Sequence, residues 1–393
     1  MKKILIIGAS ILQLPAIKKA KALGYYVGVI DYNPSAIGVP YADEFFCVST
    51  IDIEGVVKTA RDFAPDGIMT LATDMPMRSI AAACEALGLA GITSETALKS
   101  TDKGEMIKAF EANGVEHPWY YIIKDKKELD EVIDKITFPC ISKPTDNSGS
   151  RGVMLINNKD ELLESIEYSS SQGRSGSVIV EEYLTGNEVS VEIMTLDGKV
   201  NVLQVTDKLT TGAPHFVEMG HSQPSALPKE TVDAIKDLAI RSVKAVGIKN
   251  GPAHVEIMMT KNGPRMIELG ARMGGDCITT HLVPLSTGID MVEATIKLAC
   301  GEKVDIEPKL NCGSAIRYFH APSGKIKEIK GVEEAKKIPG VVEISFTKGV
   351  CDTVGEIGSS TDRVGFVIAQ SHTPASATAI CAQALETVKI VVG

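Results

Sequence analysis

The chain has 393 residues, with 41 Lys and Arg against 50 Asp and Glu and a formal net charge of −9. That acidic balance argues against a binder of nucleic acid, which needs a basic face for the phosphate backbone. At roughly 100–200 residues per domain the length suits two or three domains. Eight cysteines stand singly, at 47, 84, 140, 277, 300, 312, 351 and 381, with no CxxC pair. The spacing excludes a zinc ribbon or redox motif and predicts reduced thiols in a cytoplasmic protein. The apolar start imitates a signal peptide. Gln13, Pro15, Lys18 and Lys19 interrupt it, and no small-residue cleavage site follows, so a buried first strand is the better reading. Residues 364–385 carry no charge, yet Gln370, Ser371, His372 and Thr373 would sit unpaired in lipid, so no membrane span is expected there.

Residues 3–7, 26–30, 45–48 and 67–71 read as short apolar strands, and 15–23, 56–63 and 77–87 as the helices between them. Alternating strand and helix with fully apolar strands predicts a parallel sheet covered on both sides, Rossmann-like in layout, over about residues 1–100. Gly8 with Asp31 invites a dinucleotide reading, but the loop lacks the second and third glycines that admit a pyrophosphate. From about 101 to 305 the pattern changes to polar-alternating strands at 139–143, 152–156, 178–182, 188–195, 199–206, 253–260 and 265–269. Helices are expected at 128–135, 159–169 and 229–246, giving α+β with antiparallel hairpins. Residues 306–393 read as a third, smaller α+β unit, with strands at 314–320, 341–347 and 365–369 and helices near 332–338 and 374–388.

Four local signals carry chemistry. Lys143 ends a strand and is followed by a loop rich in Gly and Ser, including Ser148, Gly149, Ser150 and Gly152. Loop N–H groups can cradle phosphates and the lysine adds a point charge. It is not a P-loop, and an ordinary hairpin turn with a surface lysine remains an alternative. Glu256 and Glu268 flank Lys261-Asn262-Gly263. A three-residue turn there pairs Thr260 with Pro264 and puts the two glutamates opposite each other on one face. Facing carboxylates repel unless a cation lies between them, and hard oxygen ligands in this number suit Mg²⁺ that keeps waters and shares phosphate oxygens. A two-residue turn would instead place the glutamates on opposite faces. Arg272 stands among Gly270, Gly274 and Gly275, where glycines admit a ligand closely and a guanidinium can clamp a carboxylate or phosphoryl group. Finally, the strand ending Glu181-Glu182-Tyr183-Leu184 runs through a short connector to Glu188, which permits adenine and ribose contacts.

In this order, over essentially the whole chain, the motifs resemble the ATP-grasp superfamily, and the stretch Ile267-Glu268-Leu269-Gly270-Ala271-Arg272-Met273-Gly274-Gly275-Asp276 resembles the stand-alone carboxylate–amine ligases among them, such as bacterial L-amino acid ligases. Biotin carboxylase and carbamoyl phosphate synthetase modules are also similar. The resemblance implies an N-terminal α/β domain over 1–100, an ATP-grasp domain over 101–305 with a mobile lid at about 115–185, and a small C-terminal domain over 306–393. It implies ATP, with one or two Mg²⁺ (or Mn²⁺), and small carboxylate and amine substrates. Lys103, Lys143, Ser148, Gly149, Ser150 and Gly152 would hold the phosphates. Glu181, Glu182, Tyr183 and Leu184 would line the adenine, and Glu188 the ribose. Glu256 and Glu268 would hold the metal. Arg272, Lys143 and His221 would be catalytic, while Lys208, His221, Arg272 and Gly274 would meet substrate. Gly270 departs from biotin carboxylase and its relatives, which usually carry Asn there, so a second metal would draw on water or another group. The expected reaction joins a carboxylate, activated as an acyl phosphate, to an amine. The alternatives are a carboxylating enzyme, disfavoured because neither a biotin-bearing Met-Lys motif nor a bicarbonate site is evident, and a non-catalytic ATP-binding protein. A homodimer is the expected assembly.

Overall fold

The computed structural model describes residues 1–147, 149, 151–213 and 215–393. Its first sheet is parallel, in the order β3-β2-β1-β4, built from β1 (Lys3–Ile7), β2 (Tyr26–Asp31), β3 (Glu44–Cys47) and β4 (Gly67–Met69). The apolar run of β1 divides by alternation. Ile4 and Ile6 pack with Ala16, Ile17 and Ala20 of α1 (Leu14–Ala22). Leu5 and Ile7 pack with Val56, Ala60 and Phe63 of α2 (Ile53–Phe63) and with Ile80 of α3 (Met77–Leu87). A strand buried on both faces has no polar side to show, which is why its sequence does not alternate.

Two helices that the sequence reading passed over come next, α4 (Ser94–Thr101) and α5 (Lys103–Ala112). Asp102 separates them. Its extended backbone ends α4, and its carboxylate accepts the Glu105 N–H as the cap of α5. Lys103 is thereby the first residue of a capped helix. A second, antiparallel sheet follows, in the order β5-β8-β6-β7: β5 (Tyr120–Ile123), β6 (Cys140–Pro144), β7 (Met154–Ile156) and β8 (Val178–Glu182). α6 (Lys126–Val132) and α7 (Lys159–Gln172) cover it, with Leu129 and Leu162 in its core.

The third sheet is the largest, in the order β13-β12-β9-β10-β11-β14-β18-β16. Its strands are β9 (Asn187–Leu196), β10 (Lys199–Thr210), β11 (Glu218–Gln223), β12 (Gly251–Thr260), β13 (Gly263–Gly270), β14 (Gly313–Tyr318), β16 (Val341–Phe346) and β18 (Gly365–Ser371). Val189, Val191, Val255 and Ile257 on one face bury Ile235, Leu238, Ala239 and Val243 of α8 (Lys229–Val246). Each of the Val, Ile and Leu side chains contributes roughly 1.5–3 kcal/mol on burial. Because β14 pairs with β11, residues beyond 306 continue this sheet. They also build a small sheet of β15 (Gly324–Lys330), β17 (Thr353–Val354) and β19 (Lys389–Val392). α9 (Val283–Thr287) and α10 (Met291–Ala299) fill the gap before β14, and α11 (Val332–Ala335) and α12 (Pro374–Thr387) pack within the C-terminal core.

One expectation is corrected in detail. The β12–β13 turn has two central residues, since Thr260 pairs with Gly263 and Met259 with Pro264. Continued in that register, Glu256 would face Ile267. A bulge at Ile267 adds one residue to β13 and returns Glu268 to the position opposite Glu256. The facing pair is therefore present, by a different route.

Removing the cap of α5 with Asp102→Ala should cost about 0.5–2 kcal/mol. The check is urea unfolding. A loss near zero would mean that α5 is held by packing alone.

Candidate ATP-grasp active site

β9 alternates with a period of two, so Glu188, Ser190 and Glu192 share one face. Pairing sets Met258, Glu256 and His254 of β12 beside them, and Thr206 and Lys208 of β10 on their other side. Glu268 of β13 and His221 of β11 extend the row at its two ends, opposite Glu256 and Lys208 respectively. The apolar face of the same sheet is buried under α8, which forces this opposite face to carry the charges. Lys208 and His221 fall outside the strands expected at 199–206 and 253–260; both stand on strands.

The charges are densely paired. Lys208, 3% exposed, donates to Glu188, lies 3.2 Å from Glu256 and 3.7 Å from Glu218. Burial opposes its charge, but Glu256, Glu188 and Glu218 together raise its pKa well above the ordinary lysine value. Burial likewise pushes the Glu256 carboxyl up, and Lys208 and His254 outweigh it, holding the group well below the usual range. His254 donates from Nδ1 to Glu192 at 2.8 Å and from Nε2 to Glu256 at 3.2 Å. Desolvation pulls its pKa down, yet the charge and hydrogen bond of Glu192, with Glu256, raise it to about 9, so the ring is cationic at neutral pH. Glu192 Oε2 has no hydrogen-bond partner among the described residues.

The second sheet faces this row. Lys143 of β6 lies 2.6 Å from Glu181 of β8, both nearly buried. Lys103, at the start of α5, bridges the two sheets: Nζ lies 2.9 Å from Glu268 and donates to the Asn147 carbonyl at 2.8 Å. Burial would lower its pKa, but Glu268, then Asp74 and Glu181, raise it. Glu268 is pushed up by burial and drawn down, on balance, by Lys103 and Lys143. A narrow crevice between the sheets is lined by Lys103, Lys143, Glu181, Met266 and Ile267. Tyr183 lies at the exit of β8 with its ring 6.2 Å from that of Phe216. Glu182 donates its N–H to the Trp119 carbonyl, and Leu184 follows in the connector. Gly149 and Gly152 both take positive φ, and a Cβ at Gly152 would meet Pro144 and Gln172 within 3.0 Å. Ser148 and Ser150 lie outside the described residues.

The arginine loop closes the arrangement. Arg272 grips Asp74 of the N-terminal unit with both arms, Nε to Oδ1 at 3.0 Å and Nη2 to Oδ2 at 2.9 Å. Against the cost of burial, Asp74 above all raises the Arg272 pKa further beyond the usual guanidinium value. The pair explains Gly270: an added Cβ there would lie 2.5 Å from Asp74 Oδ1 and 3.0 Å from Arg272 Nε. Gly274 is required for a similar reason, since its Cβ would lie 2.6 Å from His254 Nδ1. Just beyond, Asp276 takes both arms of Arg363 at 2.8 Å and meets His221 Nε2 at 3.3 Å. Burial raises the Asp276 carboxyl, but Arg363 and His221 hold it well below the usual range.

Asp74, Glu192, His254, Asp276 and Arg363 were missed in the sequence. His254 and Glu192 had a signal, the i, i+2 alternation with Glu256 and Glu188. Asp74 and Arg363 had none, because 198 and 87 residues separate them from their partners.

In donor chemistry, Glu256 and Glu268 fit a hard divalent cation that also takes phosphate oxygens and water. Among the described residues no cluster of three or more His, Cys, Asp or Glu could hold an ion by itself. An ion at this pair would take its remaining ligands from outside these side chains, such as water or a bound phosphate.

Residues 136–280 match the ATP-grasp domain, and residues 317–393 match the L-amino acid ligase C-terminal domain 2. The chain is 27% identical over 323 residues to an alanine–anticapsin ligase of Bacillus subtilis, which covers 76% of this chain and 67% of that protein. Among solved structures it is similar to an L-amino acid ligase from Bacillus licheniformis, with TM-score 0.86, 23% identity, and 100% of this chain and 99% of that one covered. It is also similar to a phosphoribosylglycinamide synthetase from Anaerococcus prevotii, with TM-score 0.81, 24% identity and full coverage of both chains. The chain thus carries an ATP-grasp domain and an L-amino acid ligase C-terminal domain. Its relatives are ATP-grasp carboxylate–amine ligases, which form C–N bonds with ATP. Among the described residues no helix is long and apolar enough to cross a membrane.

Two outcomes test the geometry. Gly270→Asn should cost roughly 1–3 kcal/mol by overpacking. Combined with Asp74→Ala it should cost less than the sum, because both changes break one pair. Strictly additive losses in urea titrations would show that the positions do not compete for space. Asp276 has a lower pKa folded than unfolded, so its contribution is complete above about 4 and is lost as pH falls below that value. Unfolding midpoints of the unmodified chain and of Asp276→Asn should converge on acidification, and curves that stay parallel would contradict the assignment.

Proposed function

We propose that the crevice between the two antiparallel sheets binds ATP and that the enzyme activates a small carboxylate as its acyl phosphate before joining it to an amine. What supports this reading most is the joining of Lys103, Lys143, Glu256 and Glu268 into one buried cluster from four separate segments of the chain. Without nucleotide, each lysine is neutralised by a glutamate. Phosphate oxygens compete for Lys103 and Lys143 on binding, and that exchange leaves Glu268 available to a cation beside Glu256. Mg²⁺ bound there would supply charge neutralisation along the phosphates.

The chain's own residues then do four things. Lys103, Lys143, Gly149 and Gly152 hold the phosphates, as do Ser148 and Ser150 on the same reading. Glu181 to Leu184 border the base and Glu188 the ribose. Arg272, aimed by Asp74, faces the charge that develops as the substrate carboxylate oxygen attacks the γ-phosphorus and ADP leaves. The amine nitrogen next attacks the acyl carbon, phosphate departs with the bonding pair, and the amine gives up a proton. Lys208, His221 and Gly274 lie on the acceptor side in this reading. The second sheet, over about 115–185, acts as the lid that excludes water from the acyl phosphate. The units 1–100, 101–305 and 306–393 serve as the entry, nucleotide and closing domains, in a cytoplasmic homodimer.

The test is release of ADP and phosphate across panels of acids and amines. Release should require one of each. Glu268→Gln should lower turnover by roughly 100-fold or more, in the range for losing one charge-stabilising group, and raise the Mg²⁺ needed for half-maximal rate. ATP binding without any acid- and amine-dependent ADP release would leave a nucleotide-binding protein that is not a ligase.

A further inference from the structure

A hydrogen-bonded string of side chains on β9 and β12 ends at Glu256, and the proposed reaction leaves most of it without a task. Glu192 stands opposite His254, and Ser190 opposite Glu256, in the register of the two strands. Ser190 Oγ and His254 Nδ1 both donate to Glu192 Oε1, at 3.1 and 2.8 Å. His254 Nε2 then donates to Glu256 Oε1 at 3.2 Å. Ser190 and Glu192 are fully buried and His254 nearly so.

Stability does not account for this string. Glu192 Oε2 is buried with no hydrogen-bond partner among the described residues, and an unsatisfied buried oxygen destabilises a fold. Apolar residues of similar volume commonly fill such positions as well or better. What the string does achieve is placement. Among the described residues, both hydrogen bonds to Glu256 end on Oε1, one from His254 and one from Lys208. Lys208 divides its ammonium group among Glu188, Glu218 and Glu256, so its hold on any one of them is shared. His254 is held fast. The arginine loop lies directly on it, and a Cβ on Gly274 would come within 2.6 Å of His254 Nδ1 and 3.0 Å of Glu192 Oε2. The ring has no room to turn away from Glu256.

The partner of His254 has a use as well. A lone imidazolium beside a metal ligand repels the cation. Glu192 offsets that charge, so the pair is neutral overall and donates to Glu256 without opposing a cation there.

We propose that Glu192 and His254 are positioning residues for the metal: together they pin Glu256 by Oε1 and leave its Oε2 for the cation shared with Glu268. Hydrogen bonds to a ligating side chain fix its orientation, and their loss commonly weakens metal binding by about 10–100-fold. The inference rests on the reading of Glu256 and Glu268 as the metal pair.

The probe is Mn²⁺, titrated into the full chain with ADP present, the free ion being followed by electron paramagnetic resonance. Two double variants keep the pair neutral. Glu192→Leu/His254→Phe removes the donor to Glu256, and Glu192→Gln/His254→Gln keeps an N–H within reach of it. The first should weaken Mn²⁺ binding about tenfold or more, and the second should recover most of that loss. ADP binding in EDTA, measured by calorimetry, should be unchanged in both, which a general loosening of the sheet would not allow. Should the first variant not fold, Glu192→Gln/His254→Met also lacks the donor and takes its place. Unchanged Mn²⁺ affinity in the donor-free variant overturns the positioning role, as does a loss that Glu192→Gln/His254→Gln shares in full. Glu256→Gln separates the two readings. If it leaves Mn²⁺ binding intact, the metal pair itself falls and the inference with it; if it abolishes binding while the donor-free variant does not weaken it, the inference alone falls.

Discussion

The site depends on one constraint: a face of the central sheet that carries glutamates cannot be buried unless every carboxylate finds a positive partner. Desolvating an isolated carboxylate costs several kcal/mol even after relaxation. The chain meets this with Lys208 among Glu188, Glu218 and Glu256, with His254 between Glu192 and Glu256, and with Lys103 on Glu268. The network is held by attraction between groups that can exchange partners. For the proposed function, in which the site admits phosphates and a cation and then releases them, charges whose resting partners are one another are well suited.

The same constraint accounts for the contribution of the N-terminal unit. Arg272 is nearly buried and needs a carboxylate, and Asp74 supplies it from a loop that follows β4. Bringing that carboxylate in fills the space beside position 270, so a side chain there would have to displace Asp74 or Arg272. Gly270 is thus one half of a paired arrangement, and its other half lies almost two hundred residues away. A parallel case is Arg363, whose grip on Asp276 ties the C-terminal residues to the arginine loop, with its guanidinium 3.8 Å from the centre of the Tyr318 ring.

Much of the frame was legible locally. The apolar runs of β1 and β2 announced a parallel sheet because no other sheet buries both faces of a strand. The alternation of β9 and β12 announced antiparallel strands with one polar face. Lys143, Glu256, Glu268 and Arg272 stood out as candidates because the chemistry they suit requires those residue types near turns and glycines. α4 and α5 were passed over because their apolar positions are sparse and Asp102, at once end and cap, reads as a loop residue. Lys208 lies beyond the strand expected at 199–206, and His221 stood in no expected strand because β11 carries Gly220, His221 and Ser222, a poor strand sequence that pairing on both edges sustains.

The sequence by itself determined the order of the units, the ligase class its motifs resemble, and which acids and bases stand within a few residues of each other. Periodicity and turn chemistry act over short distances, so they are written in the neighbouring residues. Tertiary structure alone decided the rest. The turn at Lys261-Asn262 would have turned Glu256 and Glu268 away from each other, and it is the bulge at Ile267 that sets them face to face. Which lysine meets which glutamate, and that Asp74 rather than a neighbour of Arg272 holds the arginine, follow from how three sheets pack. Electrostatic partners are chosen by distance in space and by the cost of leaving a buried charge alone, and neither quantity is a property of any one stretch of chain.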